Sequence, residues 1–346
     1  MKTAKSLTQL ATELTRQQEA KRDFLADTKK LTMLDDGRLA IDGNTETLVF
    51  ETQKHFDQQL ASELSINSKY WDKMPAHLRA TNVNHWFQAE PEKRMVRTLD
   101  GKARAFLSDK YRALDNFDLA EAVLPVLAEV PDMQIVSSEL TEQRMFIKAL
   151  FPRIQGEVAK GDIVQSGVVI SNSETGNGSL RVEPLVYRLV CLNGMISNIS
   201  TRKYHVGRGK GSDDQAREVF RDATIEAHDR AFWMGVQDTV RASVNQKSFD
   251  AIVQGMAATQ GWKIEQNPVE VIERVKRSFL LGEGESKSIL HHLIKEGDMT
   301  GYGLLNAITR ASQDIDDYTR ATEFERLGGQ IIELKPSEWK ALAIAA

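Results

Sequence analysis

Apolar and polar residues alternate with a period of two through the middle of the chain and return with a period near 3.6 beyond residue 212. That change predicts a sheet followed by helices. The most strand-like stretch is Gly161 to Lys210, GDIVQSGVVISNSETGNGSLRVEPLVYRLVCLNGMISNISTRKYHVGRGK. Val164 and the run Gly167 to Ile170 are fenced by Gly161 and by the polar run Ser171 to Gly178, which reads as strand then loop. Asn172, Gly176, Asn177 and Gly178 tolerate the positive φ that such a loop needs. Leu180 and Val182, then Leu185 to Leu192, continue the apolar pattern, and Pro184 predicts an edge or bulge at Leu180 to Glu183. Asn193-Gly194 is a hairpin signal. Read as a helix instead, Leu185 to Leu192 would take the same Asn-Gly as its C-cap.

A second alternating stretch is KRMVRTLDGKARAFLSDKYR, residues 93–112, with Asp100-Gly101 as its turn. Period two puts Lys102, Arg104, Phe106 and Lys110 on one face, and Ala103, Ala105, Leu107 and Tyr111 on the core-ward face. A helix is predicted over Phe117 to Glu129 with Asn116 as its cap, then two strands around Thr141 and Glu142. The order β-β-α-β-β-β-β argues for an α+β fold, with a twisted antiparallel sheet over about residues 93–204. Upstream, Leu7, Leu10, Leu14, Phe24 and Leu25 predict one amphipathic helix over residues 4–28. A hairpin follows around Asp36-Gly37, then a mixed helical stretch over residues 46–88 holding Tyr70, Trp71, Trp86 and Phe87.

Beyond Lys210, Ser212 with Gln215 forms a capping box. Pro268 opens a helix at its first position, and Ser286 to Glu296 and Leu304 to Leu327 read as two more. Gly328-Gly329 reads as the C-cap of the last. The expected division is an N-terminal helix and hairpin arm over 1–45, an α+β core over 46–210 and a helical region over 211–346.

The chain has 346 residues and a net charge of −4, so nucleic-acid contact requires a local basic patch. The single cysteine, Cys191, permits no intramolecular disulfide and sits in an apolar run, so a buried, unreactive thiol is expected. No apolar run is long enough to span a membrane and the start lacks a signal-peptide core, so a cytoplasmic protein is expected. No zinc-protease, paired CxxC, Walker A, GxGxxG or nucleophile-elbow motif occurs. No catalytic residue, metal ligand or cofactor is assigned. Asp314, Asp316, Asp317, Glu323 and Glu325 form an acidic cluster that reads as a solvated face, or else as a two-metal carboxylate site.

Three segments carry a resemblance: ARAFLSDKYRALDN (103–116), ISNSETGNGSLRVEPLVYRLVCLNGMIS (170–197), and DMTGYGLLNAITRASQDIDD (298–317) with LGGQII (327–332). Over about residues 46–335 the chain resembles a phage/plasmid-like protein family known as a domain of unknown function. The resemblance implies a bacterial phage, prophage or plasmid origin and transfers no catalytic residue. The strand order is also similar to that of phage single-strand annealing proteins of the lambda Beta-like and recombination-mediator types, which form rings or filaments on single strands.

The expected function is therefore single-stranded DNA binding or annealing by a homo-oligomer, without catalysis. Lys102, Arg104 and Lys110 with Arg202, Lys203, Arg208 and Lys210 would hold phosphates, and Phe106 or Tyr204 would stack a base. The same hairpin also reads as a solvated face with Phe106 tucked under a helix. The alternatives are a non-enzymatic interaction protein, such as an inhibitor of a host defence, and a metal-dependent nucleic-acid enzyme.

Overall fold

The structure is a computed structural model that describes residues 6–43, 45–111, 114–197, 202–204 and 222–343. The capping-box positions Ser212 and Gln215 lie outside the described residues, as do Arg208 and Lys210. The fold is α+β, with the alternating segments divided between two sheets. The first joins β1 (Arg22–Asp27), β2 (Leu31–Met33), β3 (Leu39–Asp42), β4 (Thr47–Thr52), β5 (Lys93–Leu99) and β6 (Lys102–Ser108) in the order β1-β5-β6-β4-β3-β2. Its pairings are antiparallel except β4 with β6, which is parallel. The second joins β7 (Gln134–Leu140), β8 (Met145–Glu157), β9 (Ile163–Asn172), β10 (Leu180–Arg188) and β11 (Asn193–Ile196), with β12 (Arg202–Tyr204) also paired to β10. This sheet is antiparallel throughout.

Helices α1 (Leu7–Ala20), α2 (Lys54–Glu63), α3 (Ser68–Lys73), α4 (Ala76–Ala89) and α5 (Asn116–Ala128) accompany the strands. The C-terminal third is helical: α6 (Asp222–Ser243), α7 (Gln246–Ala258), α8 (Pro268–Ser278), α9 (Glu283–Glu296), α10 (Gly301–Ala311), α11 (Tyr318–Ile331) and α12 (Pro336–Ala343). The second sheet is covered on both faces. Leu14 of α1, Val123 of α5 and Val240 of α6 join Ile147, Val168 and Val182 in one core. On the other face α11 reaches Lys148 and Glu183.

Several local expectations give way to tertiary contacts. The predicted helix over 4–28 stops at Ala20, and Arg22–Asp27 is a strand paired with β5. Phe24 then meets Phe50, with ring centroids 5.5 Å apart, while the adjacent Leu25 points to the other face and is 61% exposed. The boundary expected at residue 45 therefore cuts a sheet, because β1, β2 and β3 belong to it. Asp100 (φ 52°) and Gly101 (φ 74°) do make the predicted two-residue turn.

Pro184 lies within β10 and not at its end. Its carbonyl accepts from Ser197 N on the side where β11 and β12 leave a gap, so its missing N–H costs no ladder bond. The turn before β11 is formed by residues 189–192, with Leu192 at φ 54°, and Asn193-Gly194 begins the strand. Cys191 is consequently in a turn and half-buried, correcting the expectation of a buried thiol; Val190 and Leu192 beside it are 63% and 57% exposed.

The predicted helix Leu304 to Leu327 is two helices, broken where Asp317 caps α11. Gly328 and Gly329 lie inside α11 and do not cap it. A Cβ at Gly329 would stand 2.0 Å from Ile196 O, and one at Gly328 would stand 2.2 Å from Thr309 Cγ2. The pair lets α11 lie directly on β11 and α10.

Two buried ion pairs bind α11 to the sheet. Lys148 Nζ is 2.6 Å from Glu325 Oε2, both side chains being 1% exposed. Arg326 holds Glu183 through contacts of 2.6–3.0 Å. Burial pushes the Lys148 ammonium below its ordinary pKa, so its charge depends on Glu325. Lys148→Met alone should destabilise the protein by about 3–5 kcal/mol in urea titrations, because Glu325 is left buried and unpaired. The double variant Lys148→Met, Glu325→Leu should recover most of that loss; equal losses for single and double variants would contradict the pairing.

Candidate nucleic-acid interface

The segment between β9 and β10, residues 173–179, is where the two sheets meet. It is held by polar contacts from several elements. Arg97 Nη1 donates to Glu174 O at 2.9 Å, and Arg104 Nη2 is 2.7 Å from Glu174 Oε2. Asn116 N donates to Glu174 Oε1 at 2.6 Å, Gln59 Nε2 to Thr175 O at 2.7 Å, and Tyr111 Oη to Ser173 O at 3.1 Å. Gly176, at φ +76°, lets the chain pass Leu107: a Cβ there would stand 2.6 Å from Leu107 Cδ2. Arg97 itself is fully buried and also binds Asp23 (3.0 and 3.1 Å) and Asp115 (2.6 Å).

This packing decides the fate of the predicted basic hairpin. Phe106 is 5% exposed and lies between Phe56 and Phe87, ring centroids 5.7 and 5.8 Å away. Arg104 is 5% exposed and paired with Glu174. Phe106 is tucked under α2 and α4, as the alternative reading of the hairpin has it, while Arg104 is buried and not on a solvated face, which corrects the basic-face reading. The reason is that β6 is interior to its sheet, with α2 and α4 over one face and the β9–β10 segment against the other. Lys102 is exposed at the hairpin tip, 3.6 Å from Glu51, and Lys110 is exposed beyond the other end of the strand.

The β12 residues fare differently. The backbone register sets Arg202 opposite Val182, Lys203 opposite Arg181 and Tyr204 opposite Leu180. Like charges directly opposite on a ladder are unfavourable without a counter-ion. Arg181 belongs to a corner that sequence reasoning missed, formed with Arg144 at the start of β8 and Arg326 of α11. Glu183 accepts from Arg326 and is 3.9 Å from Arg181. Arg144 donates one Nη2–H to Asn177 O, and a Cβ at Gly178 would stand 2.5 Å from that nitrogen. Among the described residues, none accepts from the buried Nε of Arg144 or of Arg181. Burial, then Arg326 and Arg181, hold the Arg144 pKa below its ordinary value, so the corner favours a further negative charge. Arg144 also borders a cavity of about 240 Å³ shared with Arg16, Arg104 and Glu174. The signal available in the sequence was Arg181-x-Glu183, two charges that period two places on one strand face.

The acidic cluster is dispersed. Asp314 accepts from Ser288 Oγ (2.6 Å) and lies 2.7 Å from His292 Nε2. Asp317 caps α11, Glu323 binds Arg320 at 2.9 Å, and Glu325 is buried on Lys148. Asp314, Asp316 and Asp317 are exposed, as the solvated-face reading expects, and Glu325 is the member that leaves that face for the interior. Among the described residues, no group of three or more His, Cys, Asp or Glu could hold a metal ion.

The buried network has a pH signature. Burial pushes the Asp115 carboxyl up, but Arg97 and Lys21 outweigh burial and hold it below the ordinary carboxylate range. Its stabilising contribution is complete above the unfolded value of about 3.9 and is lost as pH falls through the depressed folded value. Asp115→Asn should therefore lower stability at pH 7 and give a shallower decline below about pH 4, measured by urea unfolding across pH 3–7. A decline parallel to that of the unmodified protein would contradict the assignment.

Among the described residues, no helix is long and apolar enough to cross a membrane. Neither a curated protein nor a solved structure matches the chain. A family model matches residues 105–326, well over half the chain, and the protein belongs to the family described as Domain of unknown function (DUF932).

Proposed function

We propose that the protein binds single-stranded nucleic acid along the corner made by β12, Arg181 and Arg144, without performing chemistry on it. The observation that carries this reading is the gathering of cations at that corner: Arg326 and Arg181 both bear on the charge of Arg144, and Glu183, bound to Arg326, stays 3.9 Å from Arg181. A phosphate would supply counter-charge there through charge-assisted hydrogen bonds to guanidinium N–H groups. Arg202 and Lys203 extend the same strand edge, and Lys203 stands in register with Arg181. The hairpin residues Arg104 and Phe106 have structural roles in this reading. A phage or plasmid origin, action in the bacterial cytoplasm, and assembly of several copies along a strand belong to the proposal through the sequence resemblance, not through the site's geometry.

Fluorescence anisotropy with a labelled single-stranded oligonucleotide over a salt series tests it. Four phosphate contacts give a log–log slope of about −3, at roughly −0.7 per contact for single strands. Arg144→Ala with Arg181→Ala should bring the slope to about −1.5 and leave the fold intact by circular dichroism. Phe106→Ala should instead lower stability by about 3–5 kcal/mol and leave the affinity of the folded fraction unchanged. An unchanged slope in the double arginine variant would remove the proposal. Absence of binding at low salt would favour an interaction protein, and cleavage that requires magnesium would favour an enzyme.

A further inference from the structure

The cavity of about 240 Å³ that Arg144 borders lies between α1, the Asp100-Gly101 turn and the turn that joins β7 to β8. Its charged side chains largely neutralise one another. Arg16 donates to Asp100 at 2.7 Å and to Glu13 at 2.8 Å, and Arg104 is 2.7 Å from Glu174. Arg144 and the exposed Glu142 remain, one of each sign. Neither a free anion nor a free cation therefore meets a strong excess of opposite charge.

The uncharged part of the wall is rich in amides. Gln17, Gln53 and Gln143 line the cavity, and each is half-buried and so keeps surface that a guest can touch. Gln17 Nε2 donates to Glu13 Oε1 at 2.8 Å, which leaves Gln17 Oε1 as an acceptor. Gln143 Oε1 accepts from Asn177 Nδ2, which leaves Gln143 Nε2 as a donor. Gln53 is held at the start of α2 by its backbone N–H, which donates to Ala103 O at 2.9 Å. Its side chain makes no hydrogen bond among the described residues, so its amide offers a donor and an acceptor side by side. Leu99 and Leu140 add apolar surface.

A glutamine amide pairs with an edge that sets a donor beside an acceptor, as it does with adenine. Nucleobases carry such edges, are neutral and flat, and come attached to phosphates. The cavity is smaller than the ~300 Å³ at which sites for drug-sized ligands begin, so its scale suits one base and not a whole nucleotide. On the reading that the arginine corner binds phosphate, we infer that this cavity takes one unpaired base of the bound single strand, with Gln53 reading its donor–acceptor edge and Arg144 holding the adjacent phosphate. In a duplex the partner strand occupies the Watson–Crick edge, so the same cavity favours single strands. Phosphate contacts carry the salt dependence, and the base contact adds affinity without changing it.

Two labelled single strands of equal length test this by fluorescence anisotropy over a salt series: one of mixed sequence, and one with an abasic sugar at every position and the phosphates unchanged. The abasic strand should bind the full chain at least tenfold more weakly, with the same log–log slope of about −3. Gln53→Leu should weaken binding of the intact strand and leave the abasic strand as it was, closing most of that gap. If that variant does not fold by circular dichroism, Gln17→Leu should have the same effect. Equal affinity for the two strands at that slope would overturn this inference and leave phosphate binding at the corner standing. A gap that the folded glutamine variant leaves unchanged would also overturn it, by placing the base elsewhere. Absence of salt-sensitive binding by either strand would remove the corner's reading and this inference together.

Discussion

The arrangement of both sheets depends on one buried guanidinium. Arg97 projects from β5 and binds Asp23 of β1, Asp115 at the start of α5 and the Glu174 carbonyl between β9 and β10. A guanidinium carries five donors in a rigid plane, and few other side chains can hold three distant segments at fixed angles. The apolar cores do not do this work. The core of the first sheet, around Phe56, Trp71 and Phe106, is distinct from the core between the second sheet and helices α1, α5 and α6. Between them lie charges: Arg97, Asp115, Lys21, Arg104 and Glu174. Burying such groups is costly, and the Coulombic return barely offsets it, so the network contributes geometry more than net stability.

The same logic recurs where the C-terminal helices dock. Lys148 with Glu325 and Glu183 with Arg326 fix the position of α11 on the sheet, and the close approach at Gly329 admits no slippage. Apolar contact alone would tolerate small shifts along the helix axis; two buried ion pairs would both be broken by one. A consequence reaches the candidate site. Arg326 is committed to Glu183, so Glu183 has little left for Arg181, and Arg144 lies near both arginines and donates to Asn177 O. The acceptor deficit at that corner is created by the lock beside it.

Much of this architecture was legible in the sequence, and the failures share a cause. The Asp100-Gly101 turn, the β-β-α-β-β-β-β order and the helix opened by Pro268 follow from local chemistry, and all are present. The division into two sheets was not legible, because it rests on β1 pairing with β5 and β4 with β6 across long sequence separations. Period two placed Phe106 and Arg104 on one face, but the ladder between β5 and β6 shifts register at Arg97 and Thr98, so Arg104 is the extra residue and turns to Glu174 while Phe106 faces Phe56 and Phe87. Gly328-Gly329 has the composition of a helix cap, yet only the nearness of Ile196 and Thr309 explains it. Arg144, Arg181 and Arg326 are scattered along the chain, and only the fold brings them to one corner.

Hydrogen exchange on Arg97→Met tests the central claim most directly, namely that this residue joins the first sheet to the segment between β9 and β10. The account predicts faster exchange in residues 22–27 and 173–179, with protection kept at the centres of β8 and β9, whose backbone bonds do not involve Arg97. Unchanged protection in residues 173–179 would contradict it, and so would an equal loss of protection throughout the chain.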